Sequence, residues 1–325
     1  MRVMDERRTR TCMLNFSDTD LESLLEPLEV IDELRLAFGK QFERVRMPAR
    51  LQMQVGSAVI LVMPCAIEGE PYCGLKTVHV SRAKSGRTVE ASYMLMDAND
   101  GHTIAVLSAN HLTDLRTAAI SAIATELLAT PAAATLGIFG TGRQALAHAA
   151  LLPRVRQFDR ILVCGSSPQK AKAFADQVRG EPADAATCAR ESNVICTCTT
   201  ATTPLFPGEL IRPGTHLNLI GAFQPHAREV DSALIRRARL FVDTYEGAFA
   251  EAGDILVPLA AGEIQRDHVR GDLHELVTGA KTGRTNASDI TVFKSLGCAL
   301  EDLVTARLAV RAAQRASGQS TTVSS

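Results

Sequence analysis

A glycine-rich turn between a predicted strand and a predicted helix is the first feature of this sequence that could do chemistry. Residues 140–145 read Gly-Thr-Gly-Arg-Gln-Ala and follow an apolar run, the context that the G-x-G-x-x-A dinucleotide fingerprint requires. The first glycine permits a tight turn, the second lets the backbone approach a pyrophosphate, and Ala145 allows close packing of helix on strand. The helix N-terminus adds amide donors and positive potential. The predicted cofactor contacts here are Gly140, Thr141, Gly142, Arg143 and Gln144.

The next predicted strand ends without the acidic residue that selects NAD. In NAD-preferring sites a carboxylate about 20 residues after the turn binds the ribose hydroxyls. Here residues 163–168 read Val-Cys-Gly-Ser-Ser-Pro. Because this segment has no carboxylate that could repel a 2′-phosphate, Ser166, Ser167 and Lys170 are predicted to contact the 2′-phosphate of the cofactor. NADP(H) is therefore favoured as the cofactor, with NAD(H) as the alternative.

Two basic residues have surroundings that suit the binding of a small carboxylate. Arg116 falls in the first turn of a helix predicted over Leu112–Ala129, with Thr113 as its N-cap, so its guanidinium and the helix N-terminus act at one place. Lys76 lies on an otherwise apolar strand, where an ammonium is costly unless it meets an anion or has a lowered pKa. Packing at a helix end and a lysine reaching solvent from an edge strand are the structural alternatives.

The first part of the chain is predicted to form helices followed by an antiparallel sheet. Leucines at helical spacing from Leu21 onward, with Asp18 or Thr19 as the cap, predict that residues 1–45 are helical. The pattern then changes to short apolar or alternating runs, and Asp100-Gly101 is typical of a hairpin turn. The predicted strands are Ala58–Met63, Leu75–Val80, Tyr93–Met96 and Thr103–Leu107.

Strands and helices alternate from residue 135 to residue 243, which predicts a doubly wound parallel sheet and places the chain in the α/β class. The strands are predicted at Thr135–Phe139, Arg160–Cys164, Val194–Cys198, His216–Ile220 and Leu240–Asp243, with the first two helices at Arg143–Leu152 and Pro168–Val178. A long amphipathic helix is predicted over Asp289–Ala313. The glycine turn lies between the first strand and the first helix of this unit.

Composition and charge exclude several classes of function. The 325 residues suffice for roughly two domains. Because 35 Lys+Arg balance 36 Asp+Glu, no positive surplus favours nucleic acid or an anionic membrane. No apolar run is long enough to span a bilayer, no signal-peptide pattern follows the charged start, and the eight cysteines lack metal-ligand spacing. We expect a cytoplasmic protein with reduced thiols, no metal, and neither nucleic acid nor membrane as a partner.

Seven strings spread along the chain form a signature. They are Gly74-Leu75-Lys76, Leu112-Thr113-Asp114-Leu115-Arg116-Thr117-Ala118-Ala119, Gly140-x-Gly142-x-Gln144-Ala145, Gly221-Ala222-x-x-Pro225, Arg228-Glu229-x-Asp231, Glu251-Ala252-Gly253-Asp254 and Phe293-Lys294-Ser295-Leu296-Gly297. Together they resemble the ornithine cyclodeaminase/mu-crystallin family. The resemblance implies a homodimer whose protomers combine a Rossmann domain, placed at 116–299, with a discontinuous α+β substrate and dimerisation domain, placed at 1–115 and 300–325. Members of the family handle amino acids or their imines.

The resemblance also implies roles for single residues. In the family a lysine that matches Lys76 contacts substrate, and we predict that Lys76 is catalytic. An arginine of the segment Met47–Arg50 contacts substrate too, which we map to Arg50, with Arg46 as the competing assignment. Further cofactor contacts are predicted on the junction helix and at strand ends, at Thr117, Thr197, Cys198, Thr199, Gly221 and Ala222.

One departure from the family pattern bears on the reaction. Cyclodeaminases and alanine dehydrogenases read Gly-Ala-Asp where this chain reads Gly221-Ala222-Phe223, and the aspartate is their acid/base group. Losing it should cost amine oxidation on the order of 100-fold or more, whereas reduction of a preformed imine needs only hydride and a held carboxylate. We therefore predict an NAD(P)H-dependent reductase of an imino acid, with Phe223 lining the pocket. The substrate is a cyclic ketimine such as 1-pyrroline-2-carboxylate or 1-piperideine-2-carboxylate, or an acyclic imine of a 2-oxo acid.

Two alternatives stay open from the sequence. Glu251, Asp254, His79 or His111 could replace the missing proton carrier. The protein would then be an ornithine cyclodeaminase or an alanine-dehydrogenase-like enzyme. A nicotinamide-dependent binding protein with little turnover is the second alternative.

Overall fold

The computed structural model describes residues 13–83 and 86–317. Between residues 14 and 108 the chain forms a mixed sheet of seven strands. The elements are β1 (Leu14–Phe16), α1 (Asp18–Leu24), α2 (Pro27–Leu36), β2 (Val45–Arg46), β3 (Leu51–Val55), β4 (Ala58–Ile67), β5 (Tyr72–Ala83), β6 (Gly86–Asp97) and β7 (Thr103–Ser108). The order is β1-β7-β6-β5-β4-β2, with β3 also paired to β4. β1 runs parallel to β7 and the other pairs are antiparallel. The predicted antiparallel sheet is confirmed, with longer strands.

The start of the chain is less helical than predicted. Residues 1–12 lie outside the described residues, and Leu14–Phe16 is a strand because it pairs with β7. The cap of α1 is Ser17, whose hydroxyl accepts a hydrogen bond from the Asp20 amide at 3.2 Å, so the prediction of Asp18 or Thr19 was wrong. The hairpin turn is confirmed, since the Asp97 amide donates to the His102 carbonyl and Gly101 has φ 74°.

The junction helix α3 (Asn110–Leu128) begins before its predicted start. Thr113 is therefore not its N-cap, and Arg116 lies in the second turn rather than the first. The reason is a distant cap: Asp18 Oδ1 accepts a hydrogen bond from the His111 amide at 2.8 Å. Because a carboxylate from another element satisfies this end of the helix, no local capping signal was required.

The second sheet has eight parallel strands in the order β10-β9-β8-β11-β12-β15-β13-β14. Its strands are β8 (Thr135–Phe139), β9 (Arg160–Cys164), β10 (Glu181–Pro182), β11 (Val194–Thr197), β12 (His216–Leu219), β13 (Arg239–Val242), β14 (Val269–Asp272) and β15 (Thr291–Lys294). The helices are α4 (Arg143–Val155), α5 (Pro168–Val178), α6 (Ala185–Glu191), α7 (Ser232–Arg237), α8 (Tyr245–Glu251), α9 (Gly253–Ala260) and α10 (Leu273–Val277). The predicted doubly wound sheet is confirmed.

The prediction of one helix over Asp289–Ala313 was wrong. Thr291–Lys294 forms the buried strand β15 between β12 and β13, and helix α11 (Ala299–Ala316) begins only after Gly297, which has φ 76°. A short apolar run has no periodicity that separates a buried strand from a helix. The partners that make it a strand are more than 50 residues away in the chain.

Helices α3 and α11 lie in the core that backs the first sheet. All residues of α11 from Ala299 to Val310 are buried. The predicted boundary between residues 115 and 116 falls inside the continuous helix α3, and the division into domains stays a prediction. Within residues 13–83 and 86–317, no helix is long and apolar enough to cross a membrane.

Candidate active site

The glycine turn lies at the carboxyl end of β8, where the strand order of the parallel sheet reverses. β9 and β10 extend to one side of β8, while β11 and β12 extend to the other. In sheets of this kind, ligands bind outside the carboxyl ends of the strands at such a switch point. Gly140 has φ 113°, and a Cβ there would clash with the carbonyl oxygen of Cys198. The turn is therefore held against the end of β11 by a contact that only glycine permits.

The predicted cofactor residues collect along this edge. Ser166, Ser167 and Lys170 follow β9, and Ser167 caps α5 by accepting a hydrogen bond from the Lys170 amide at 3.3 Å. Others follow β11 and β12, at Cys198, Thr199, Gly221 and Ala222. Thr117 is placed differently, since it lies within α3 and its hydroxyl donates to the Thr113 carbonyl at 2.7 Å. The edge therefore offers glycine backbone, hydroxyls and a helix N-terminus to a dinucleotide.

The two side chains that follow Gly142 are tied to the junction helix. Arg143 Nε and Gln144 Nε2 donate to the two oxygens of Asp114, at 2.7 and 2.9 Å. Asp114 lies in α3 two residues before Arg116. The glycine turn is therefore connected through one carboxylate to the helix that carries the predicted substrate arginine.

Gly142 offers a direct test of the turn. It has φ −98°, which any residue can adopt, and a Cβ there would meet no atom within 4 Å. Gly142→Ala should therefore leave the thermal unfolding temperature unchanged while its methyl group occupies the space of the pyrophosphate. We expect binding of NADPH and NADH, followed by nicotinamide fluorescence, to weaken about tenfold or more. Unchanged binding would show that the pyrophosphate does not lie over this turn.

The two predicted substrate cations form a buried cluster of four charged side chains with two acids. Lys76 Nζ lies 2.7 Å from Asp302, Arg116 Nε donates to Asp302 Oδ1 at 3.0 Å, and Arg116 Nη1 donates to Glu301 Oε2 at 2.6 Å. All four residues are at least 95 % buried, so neither cation is a solvent-exposed surface residue. The two acids lie in the first turn of α11 and neutralise the two cations.

Burial sets the protonation behaviour of this cluster. Desolvation and the nearby Arg116 charge lower the pKa of Lys76 to about 8, although Asp302 opposes the shift. Desolvation also raises the pKa of Glu301, with Arg116 opposing it. A lysine with a pKa near 8 is protonated at neutral pH yet gives up its proton far more readily than a free lysine. Lys76 thus combines an anion-binding charge with the capacity to donate a proton.

Arg50 approaches the same place from the loop between β2 and β3. Its Nε lies 3.1 Å from Glu251 Oε2, and its Nη2 donates to the carbonyls of Leu296 and Gly297 at 3.1 and 3.3 Å. A Cβ on Gly297 would clash with the Arg116 guanidinium, so both arginines contact this glycine. Arg46, the competing assignment, is exposed and pairs with Glu68 at 2.7 Å. The geometry therefore favours Arg50 over Arg46 as the arginine of this segment that could contact the substrate.

A cleft with an empty volume of about 480 Å³, including space open to solvent, lies beside these arginines. Its lining includes Arg50, Met63, Glu251, Gly297 and Cys298. Met63 is the register partner of Lys76 on the neighbouring strand. The cleft therefore lies between the first sheet and the carboxyl edge of the second sheet.

The other proposed proton carriers are less suited to the role. His79 lies on the face of β5 opposite to that of Lys76, because side chains alternate along a strand. His111 is held near Glu22, with 3.9 Å between its Nδ1 and the carboxylate. Glu251 pairs with Arg50, and Asp254 is buried against Lys294 at 3.1 Å. Phe223 is half-buried in the loop after β12.

Sequence reasoning missed the acids Glu301 and Asp302, and the role of Glu229. The sequence held no clear signal for the first two, because an amphipathic helix that also carries Arg307, Arg311 and Arg315 could hold adjacent acids on its solvent face. The predicted helix began ten residues too early, which hid their position in its first turn. Glu229 was noted only as part of a motif.

Together, the doubly wound sheet, the glycine turn at its switch point and the adjoining cleft lined by Arg50 define the class of dinucleotide-binding proteins. The chain belongs to the ornithine cyclodeaminase/mu-crystallin family, whose model matches residues 9–317. The resemblance inferred from the seven strings is thereby confirmed.

Three of the proteins that this chain resembles are named as reductases. The Delta(1)-pyrroline-2-carboxylate reductase of Bacillus cereus is 34 % identical over 310 residues, which is 91 % of this chain and 95 % of the relative. The ketimine reductase mu-crystallin of Mus musculus is 37 % identical over 256 residues, 76 % of this chain and 78 % of the relative. The structure of Thermococcus litoralis Delta(1)-pyrroline-2-carboxylate reductase in complex with NADH and L-proline matches with a TM-score of 0.89 at 34 % identity, covering 94 % of this chain and 98 % of that one. The predicted fold and the predicted class, a nicotinamide-dependent oxidoreductase of imino acids, are confirmed by these relatives.

Proposed function

We propose that this protein reduces the C=N bond of an imino acid with NAD(P)H and forms the L-amino acid. The substrate is a cyclic ketimine such as 1-pyrroline-2-carboxylate or 1-piperideine-2-carboxylate, or an acyclic imine of a 2-oxo acid. The observation that carries the proposal is a cleft beside the carboxyl edge of the parallel sheet that Arg50 and Gly297 line. Directly behind it, the buried Arg116 packs against Gly297 and shares Asp302 with Lys76. The names of the relatives above support the same reaction.

Different residues of the chain have different proposed roles in this reaction. Arg116 and Arg50 bind the substrate carboxylate with N–H groups beyond those already donated to Glu301, Asp302, Glu251 and the backbone. A reduced nicotinamide cofactor held at the glycine turn and at the ends of β11 and β12 would supply the hydride that the imine carbon needs. The C=N bond becomes a C–N bond, and the nitrogen electron pair takes a proton from Lys76 Nζ, which Asp302 holds in place. Phe223 follows β12 and is not among the residues that line the cleft beside Arg50, so its contact with the substrate ring stays a prediction.

Purified protein should oxidise reduced nicotinamide when supplied with five- or six-membered cyclic 2-imino acids. The assay follows reduced-nicotinamide absorbance with each imine, with 2-oxo acids plus ammonia or methylamine, and in reverse with proline, ornithine and alanine. We expect rapid imine reduction and slow amino-acid oxidation. Turnover of ornithine or alanine without imine reduction would overturn the proposal in favour of a cyclodeaminase or alanine-dehydrogenase activity. Cofactor binding without any turnover would favour the binding-protein alternative.

We further propose that NADP(H) is the preferred cofactor. Ser166 and Lys170 are exposed at the end of β9 and the start of α5, and Ser167 caps that helix. These hydroxyls, the ammonium and the helix N-terminus suit a 2′-phosphate. The preference is measured as the ratio of kcat/KM for NADPH to kcat/KM for NADH. A ratio below one would assign the protein to NAD(H).

A homodimer is proposed on the evidence of the first sheet. The face of this sheet that points away from α3 and α11 carries a continuous apolar row, because the register aligns four side chains across β4 to β7. That row is Pro64, Leu75, Met94 and Val106. Leu51 and Met53 on β3 extend it, and both are about half exposed. An apolar patch of this kind on a sheet is typical of a protein interface.

Met94→Glu should convert the dimer into monomers. Met94 lies within the row and is 38 % exposed in the protomer, so a buried charge at the interface would have no partner. Sedimentation velocity at micromolar concentration measures the result. Leu28→Glu, at an exposed leucine of α2, is the matched control and should leave the dimer intact. A dimeric Met94→Glu protein would place the interface elsewhere.

A further inference from the structure

Glu229 has no role in the proposal above, yet its carboxylate is among the most completely hydrogen-bonded groups beside the cofactor edge. We propose that Glu229 is a positioning residue that joins the loops after β11 and β12 into the surface on which the nicotinamide half of the cofactor rests. The inference depends on the proposed cofactor site but not on the identity of the imine.

Five donors point at this carboxylate. Oε1 accepts hydrogen bonds from the Thr199 amide at 2.9 Å and the Thr199 hydroxyl at 2.7 Å. Oε2 accepts from the Thr197 hydroxyl and the Gly221 amide, both at 2.7 Å, and from the Ala222 amide at 3.3 Å. Both oxygens therefore act only as acceptors, which is the behaviour of an ionised carboxylate.

The two loops are in direct contact at this point. A Cβ on Gly221 would clash with the Thr199 carbonyl oxygen and approach Glu229 Oε1, so the contact requires glycine. β11 and β12 are neighbours with Thr197 paired to Leu219, and their loops therefore emerge side by side. The Ile220 and Gly221 amides still donate to the Thr197 carbonyl at 3.0 and 3.2 Å, and Glu229 adds side-chain hydrogen bonds to this junction of the two loops.

An ion pair between Asp254 and Lys294 holds the backbone of Glu229 in place. Asp254 Oδ1 accepts hydrogen bonds from the Glu229 and Val230 amides at 2.8 and 3.2 Å, and Asp254 Oδ2 lies 3.1 Å from Lys294 Nζ. Lys294 ends β15, next to β12. Burial raises the pKa of Glu229, while the positive charge of Lys294 lowers it. The buried ammonium of Lys294 thus stabilises the negative charges of Asp254 and Glu229. These contacts connect the ends of β11, β12 and β15.

The position of this network predicts which half of the cofactor depends on it. The pyrophosphate turn follows β8, and the residues predicted to bind the adenosine half follow β9, on the far side of the turn. A dinucleotide that crosses the switch point places its other half over β11 and β12. Glu229 should therefore affect the nicotinamide half and leave the adenosine half unchanged.

Binding of fragments by Glu229→Gln tests this directly. Glutamine puts an amide donor against the donors of one loop, so the loops lose their fixed spacing. We expect the Kd of NADPH, measured by calorimetry, to rise about tenfold, while the Kd of adenosine 2′,5′-bisphosphate changes less than about twofold. ADP-ribose and NADH form the corresponding pair if the protein uses NAD(H). Asp272→Asn, at a buried helix-capping acid on β14, is the control and should change neither Kd.

Equal weakening of both ligands, or of neither, would overturn the inference. If Glu229→Gln does not fold, Thr197→Val removes one of the five donors with little change of shape, and we expect the same selectivity with a smaller effect. Because the measurement is of binding, it stands even when the imine panel shows no turnover. Failure of the proposed function and failure of this inference are therefore distinguished.

Discussion

Lys76→Met should lower kcat for imine reduction by about 100- to 10,000-fold, the range that a general acid contributes. Methionine keeps most of the apolar stem but carries no proton and no charge. Asp302 stays paired with Arg116 Nε, so the cluster retains one partner for this acid. Steady-state rates with the best imine, together with NADPH binding and thermal unfolding, separate loss of chemistry from loss of fold. Lys172→Met, at an exposed lysine of α5, should behave as the unsubstituted protein.

The pH dependence identifies the proton donor. The pKa of Lys76 in the ligand-free protein is lowered to about 8, and reduction uses the protonated form, so kcat/KM should fall as pH rises through about 8. Lys76→Arg keeps a positive charge that does not titrate in this range, and its residual rate should show no decrease near pH 8. An alkaline limb at the same pH in Lys76→Met would assign the titration to another group and contradict the role of Lys76.

Arg116→Met should be the most destabilising of the substitutions considered. Arg116 is buried and contacts both Glu301 and Asp302, so its removal leaves buried negative charge without a partner. Breaking such a pair costs about 3–5 kcal/mol of unfolding free energy. Imine reduction should be lost as well, because the carboxylate of the substrate loses Arg116 as a hydrogen-bonding partner. Urea denaturation measures the first effect and saturation kinetics the second.

A double variant separates the charge effect from the loss of packing. Glu301 Oε1 also accepts a hydrogen bond from the Cys298 amide at 3.0 Å, and Glu301→Gln keeps that acceptor while removing the charge. Arg116→Met combined with Glu301→Gln should be more stable than the sum of the single variants predicts, by about 0.5–3 kcal/mol. Arg315→Met, which breaks an exposed pair with Glu29, should cost less than about 1 kcal/mol. Simple additivity would show that the buried charges are independent.

Several features of the site were predictable from the sequence because they are local. The turn at Gly140 and Gly142 requires glycine for its own backbone and for the approach of a phosphate, so the residue types reveal it. The hairpin at Asp100-Gly101 was visible for the same reason. Lys76 was predictable as well, since an ammonium on an apolar strand must meet an anion.

Other features depended on partners that spacing does not encode. The start of α3 was misplaced because its capping carboxylate, Asp18, is 93 residues away from His111. Thr291–Lys294 became a strand rather than part of a helix because β12 and β13 flank it. The anion that meets Lys76 is Asp302, 226 residues further on, and the sequence had suggested only substrate for that role.

The sequence by itself therefore determined the family, through the resemblance of its seven strings. It also determined the fold class and the backbone of the glycine turn, because strand and helix periodicity and glycine conformations are properties of short segments. Only the tertiary structure decided that Lys76 and Arg116 are neutralised by α11, that Arg50 rather than Arg46 reaches the cleft, and that Glu229 joins two loops. Each of these depends on side chains brought together from distant segments, where burial makes an unpaired charge too costly to leave without a partner.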